Sequence, residues 1–91
     1  MSKIHIEREH QLPREELLQH IDGLSEKLKE SLEVDLERLE DGISFQRKGA
    51  SGYITIDDDH IEVEVVLGMM FRPFRKRIEH TILEYLDDYF A

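Results

Sequence analysis

Ile43-Ser44-Phe45-Gln46-Arg47, Tyr53-Ile54-Thr55-Ile56 and Ile61-Glu62-Val63-Glu64-Val65 are three runs in which large apolar residues recur at every second position. That spacing gives a strand one buried and one open face. Val66 and Leu67 extend the third run. Gly49-Ala50-Ser51-Gly52 and Asp57-Asp58-Asp59-His60 separate the runs and predict turns, glycine being free to take positive φ. Links this short join antiparallel neighbours, because parallel pairing needs a crossover of about a dozen residues. The stretch from Ile43 to Leu67 therefore reads as a β-meander with one apolar face, and the flanking helices are its cover.

Outward from the meander, Val34 to Leu39 predicts a further strand, joined to Ile43 by the turn Glu40-Asp41-Gly42. Lys3 to Glu9 alternates around Ile4 and Ile6 and predicts a first strand, whose place in the sheet the sequence leaves open. Pro13 predicts a helix start, with Glu15 and Glu16 at the end of the macrodipole that favours negative charge. Leu17, Ile21, Leu24, Leu28 and Leu32 form its apolar stripe. Gly23 inside it costs about 1 kcal/mol relative to alanine, which implies a bend or a close contact with the sheet. A closing helix is predicted from Pro73 to Tyr89. Its stripe is Phe74, Ile78, Ile82, Tyr85 and Tyr89, widened by Leu83, Leu86 and Phe90. The expectation is one α+β domain over residues 1–91: an antiparallel sheet of about five strands covered by two helices, order β-α-β-β-β-β-α, helix-grip-like in outline.

Composition narrows the function classes. Twenty-one acidic against twelve basic residues give a net charge of −9, which repels phosphate backbones and argues against nucleic acid as a partner. With no cysteine there is no disulfide, thiol nucleophile or thiolate metal site. No apolar run reaches the ~20 residues of a membrane span and none resembles a signal peptide, so the expected location is the cytoplasm.

No catalytic constellation stands out. His5, His10, His20, His60 and His80 lack recognisable ligand spacing; only His80 and Glu84 share helical i, i+4 spacing, a common surface pairing. Asp57-Asp58-Asp59 lacks the alternating ligands, the glycine and the closing glutamate of a calcium loop. Glu62 and Glu64 share one sheet face, but acid–base work would require a pocket that raises one pKa. The expectation is a non-enzyme without metal or cofactor, and a hydrolase or isomerase using Glu62 or Glu64 is the minor alternative.

One segment departs from the acidic background. Met69 to Arg77 carries Arg72, Arg75, Lys76 and Arg77 with no acidic residue, accompanied by Met69, Met70, Phe71 and Phe74. It reads either as the closed end of a core with counter-charges, or as a docking patch of Met69, Met70, Phe71, Arg72, Arg75 and Arg77 for an anionic partner or surface. A homodimer through a sheet edge or the final helix is a further expectation, given Leu83, Tyr89 and Phe90.

Lys3-Ile4-His5-Ile6-Glu7-Arg8 at the start resembles the opening of the polyhydroxyalkanoic acid system family. The middle is similar in Phe45-Gln46-Arg47-Lys48-Gly49-Ala50-Ser51-Gly52, Ile54, Ile56 and the acidic turn. So is the end, in Glu64-Val65-Val66-Leu67-Gly68, Pro73-Phe74 and Ile78-Glu79. The likeness spans nearly the whole chain except residues 33–40, and its motifs are structural. It implies a bacterial cytoplasmic protein near storage-polyester granules, in contact with a granule-associated protein or the granule surface, and it brings no catalytic residues. The reading that results is a non-catalytic binding module; the alternative is a carrier of small apolar ligands in a pocket between the last helix and the sheet.

Overall fold

The structure, a computed structural model, describes residues 2–90. The elements follow in the order β1 (Ser2–Glu9), α1 (Arg14–Leu32), β2 (Asp35–Leu39), β3 (Gly42–Arg47), β4 (Ala50–Ile56), β5 (His60–Leu67), a 3-10 turn (Met69–Phe74) and α2 (Arg75–Phe90). The five strands form one antiparallel sheet in the order β1-β5-β4-β3-β2. This is the α+β order predicted, and it places β1 beside the last strand of the meander.

The chain leaves the sheet at one edge and re-enters at the other. Five strands at ~4.8 Å spacing are about 19 Å wide, whereas the 19 residues of α1 extend about 28 Å. One helix therefore makes the whole crossing. Its stripe of Leu17, Ile21, Leu24, Leu28 and Leu32 is buried. It meets Ile4 and Ile6 of β1, Ile43 and Phe45 of β3, Ile54 and Ile56 of β4, and the alternate residues Ile61, Val63, Val65 and Leu67 of β5 in one continuous core. Both helices cover this face, and the other face of the sheet is open.

Several boundaries differ from expectation for identifiable reasons. Pro13 stands just before α1, with an extended ψ of 150°, and its carbonyl accepts the Leu17 N–H at 3.0 Å. The first meander turn contracts to Lys48-Gly49, where Gly49 has φ +90°, and Ser51 and Gly52 belong to β4. Gly52 is a strand residue without room for a side chain: a Cβ there would overlap the Glu64 carbonyl oxygen and approach the Phe45 ring to 2.8 Å. His60 likewise joins β5 and leaves Asp57–Asp59 as the second turn, closed by Asp57 N–H donating to the His60 carbonyl at 2.9 Å. Buried His10 braces that turn from the end of β1: its Nε2 lies 3.1 Å from the Asp57 carbonyl and its Nδ1 accepts the Leu12 N–H at 3.3 Å.

The closing helix begins at Arg75, two residues later than predicted, since the 3-10 turn takes up Pro73 and Phe74. Its buried stripe is Ile78, Ile82, Tyr85 and Leu86, with Leu83 half-buried. Phe74 and Tyr89 are exposed, and Tyr89 instead stacks between His20 and Tyr85 with centroid separations of 4.5 and 4.7 Å. The Phe90 side chain lies outside the described residues. Gly23 lies inside the single helix Arg14–Leu32 and faces Tyr85 of α2, not the sheet.

Candidate functional site

The 3-10 turn starts where Gly68 adopts an extended conformation (φ −75°, ψ 179°) and accepts the Phe71 N–H at 3.1 Å. Arg72 precedes Pro73, which disfavours helical geometry and deprives the turn of a donor. Three contacts fix it to the body of the protein. The Gly68 N–H donates to the Gly49 carbonyl at 2.7 Å. Met70 and Phe71 rest on Gly49, where an added Cβ would come within 3.3 Å of both side chains. The Arg47 guanidinium lies 4.8 Å from the Phe71 ring centroid, a cation–π contact that holds the half-buried ring.

Phe71 is therefore the anchor of the segment, and the other docking candidates divide around it. Met69 is 81 % exposed, Met70 57 % and Phe74 47 %. Arg75 is tied down, donating to the Lys3 carbonyl at 3.3 Å and facing Glu79 at 3.5 Å. Among the described residues Arg72, Lys76 and Arg77 make no ion pair, in a protein of net charge −9. A groove of about 360 Å³ runs alongside, lined by Phe71, Phe74, Arg77, Ile78 and Thr81 on one wall and by Glu30 and Ser31 of α1 on the other. Between α2 and the sheet, Ile78, Ile82 and Tyr85 are packed into the core.

Arg47 was legible only as a strand residue. Its Nη1 also donates to the Leu32 carbonyl at 2.8 Å, capping the last turn of α1, and lies 3.6 Å from the Glu33 carboxylate. One side chain thus joins α1, β3 and the 3-10 turn.

The open face of the sheet holds a second group. Glu62 and Glu64 share it, as alternation requires, but both have neighbours. Lys3 pairs with Glu64 at 2.9 Å, and His5 Nε2 lies 2.9 Å from Glu62. The Lys3 ammonium, as hydrogen-bond donor, holds the Glu64 carboxyl below its ordinary pKa. Burial, then the charges of Glu62 and Glu64, raise the Tyr53 phenol. His5, Glu7 and Glu62 present ligand atoms all within 4.8 Å of one another. This cluster was not visible in the sequence, because β1 and β5 are brought together from opposite ends of the chain. His80 and Glu84 do pair, at 3.3 Å on the surface of α2.

No helix among the described residues is long and apolar enough to cross a membrane. No curated protein and no solved structure matches the chain. Residues 4–90 match the family described as polyhydroxyalkanoic acid system protein (PHA_gran_rgn). The coverage includes both helices, β2 to β5 and all but the first two residues of β1, so the chain belongs to the polyhydroxyalkanoic acid system protein family.

Proposed function

We propose that the chain is a non-catalytic binding module that docks on polyhydroxyalkanoate storage granules in the cytoplasm through Met69, Met70, Phe74, Arg72, Lys76 and Arg77. The observation that carries this reading is the exposure of three large apolar side chains beside three cations with no ionic partner among the described residues, on a segment pinned by Phe71 and Arg47. Methionine adapts to irregular apolar surfaces. Cations at the rim favour an anionic coat and exclude other contacts. Family membership supplies the storage context.

Co-sedimentation with isolated granules tests it. The parent chain is expected in the granule fraction, less so as salt rises. Arg72→Glu/Lys76→Glu/Arg77→Glu and Met69→Ser/Met70→Ser variants should stay in solution. Equal partitioning of all three proteins would remove the reading.

The apolar-ligand alternative placed its pocket between the last helix and the sheet, where Ile78, Ile82 and Tyr85 instead fill the core; the groove beside Phe71 and Phe74, whose volume lies at the lower end for ligand sites, is a different place. It opens between the two helical segments, with Arg77 at its wall to meet an anionic head group.

A further inference from the structure

We propose that His5, Glu7 and Glu62 form a binding site for one divalent first-row transition ion on the open face of the sheet. His5 and Glu7 are two residues apart on β1 and so project from the same face. The register sets Glu7 directly opposite Glu62 of β5, and His5 opposite Glu64. The three side chains occupy adjacent positions of one cross-strand square, with ligand atoms within 4.8 Å of one another.

Two physical arguments favour a cation there. Like charges directly opposite on antiparallel strands destabilise the pair, and a dication between Glu7 and Glu62 turns that repulsion into attraction. Beside them lies a depression of about 350 Å³, lined by Glu7, Glu62, Thr55, Ile56, Asp57 and His60, with room for the ion's remaining water. One imidazole and two carboxylates suit zinc and its neighbours, and three protein ligands leave a coordination position open. Ligand bonds of ~2.0–2.2 Å separate tetrahedral ligands by about 3.5 Å. Exposed side chains on paired strands reach that spacing by rotation. Glu64 is excluded from the set because Lys3 neutralises it at 2.9 Å. Tyr53, on the neighbouring strand, stands directly opposite Glu64 in the register.

Isothermal titration of the full chain with Zn2+ tests the site. One equivalent is expected to bind. His5→Ala and Glu62→Gln should each weaken it by about tenfold or more. His80→Ala, which removes a His–Glu pair on α2 away from the site, should leave it unchanged. Should either ligand variant fail to fold by circular dichroism, Co2+ broadening of backbone amide resonances in the parent chain replaces it. Broadening centred on residues 5, 7 and 62 supports the site. Binding that survives in His5→Ala, or broadening centred elsewhere, overturns it.

Discussion

Gly23 of α1 lies directly beneath the Tyr85 hydroxyl of α2, where a Cβ on residue 23 would overlap the phenol oxygen. Helix propensity alone predicts that Gly23→Ala stabilises by about 1 kcal/mol. The overlap opposes it with an overpacking cost of about 1–3 kcal/mol, because Tyr85 is buried and cannot swing freely. The net expectation is a loss of about 1 kcal/mol in urea unfolding. In a Tyr85→Phe background the hydroxyl is gone and only the ring carbon, 3.2 Å from the added Cβ, remains in the way, so the same substitution should cost clearly less. An equal cost in the two backgrounds would show that the hydroxyl contact is not the reason for the glycine.

That contact marks where sequence reasoning stopped. Period-two alternation located Ile43–Arg47 and Ile61–Leu67, and the three-four spacing from Leu17 to Leu32 located the face of α1, since both patterns are local consequences of burial. The basic and apolar content that sets Met69–Arg77 apart was legible within nine residues. What closed the fold was not local. Gly23 was recognised as costly, but its partner is 62 positions away in a different helix. Gly52 read as a turn residue because a glycine made necessary by the nearby Glu64 carbonyl and Phe45 ring looks the same in a sequence as one made necessary by φ. His5 and Glu62 needed the β1–β5 register, which alternation leaves undetermined.

Ser25 is buried on the core side of α1, and its hydroxyl has no hydrogen-bond partner among the described residues. A buried unpaired hydroxyl costs about 1–3 kcal/mol, and serine is also a weaker helix former than alanine. Ser25→Ala should therefore raise stability by about 1 kcal/mol. Thermal unfolding followed by circular dichroism measures it, and a lower midpoint would mean that the hydroxyl is satisfied in solution.

Glu33, just after α1, has φ 55°, the left-handed region, while its N–H donates to the Lys29 carbonyl at 2.7 Å. For a residue with a Cβ this conformation costs about 1 kcal/mol, and glycine is the usual solution at such a helix end. Glu33→Gly also removes the 3.6 Å approach to Arg47, but Glu33 is exposed and that pair is worth little. The expected outcome is a gain of about 0.5–1 kcal/mol in urea unfolding, with unchanged helix content. A loss would assign the Arg47 contact more weight than its exposure allows.

The Tyr85 phenol is raised above its ordinary pKa of 10.0, first by burial and then by Tyr89. The folded state thus holds the proton more tightly than the unfolded chain. Its contribution is fully present below about pH 10 and is lost as pH rises through the raised folded value. Stability measured from pH 9 upward should fall, and the fall should be smaller in Tyr85→Phe. Identical alkaline profiles for the two proteins would exclude Tyr85 as the group responsible.

Arg47 is the residue whose loss should separate docking from folding. Its guanidinium caps the Leu32 carbonyl at 2.8 Å and covers the Phe71 ring at 4.8 Å. A hydrogen bond to a charged group contributes about 1.5–3 kcal/mol and an exposed cation–π contact about 0.5–1. Arg47→Ala should cost about 2 kcal/mol, well above the value of an ordinary surface cation. Lysine should recover only part of this, since its compact ammonium cannot present a flat face to Phe71 while donating to Leu32. The loss should also be local in its effect on motion. In hydrogen exchange, the Phe71 amide, bonded to Gly68 at 3.1 Å, should lose protection more than the amides of β4 and β5. If the loosened segment is the docking surface, granule recovery should fall in Arg47→Ala although Arg72, Lys76 and Arg77 are all retained. Full recovery with an unprotected Phe71 amide would mean that the partner orders the segment itself, and that pre-positioning by Arg47 contributes nothing to binding.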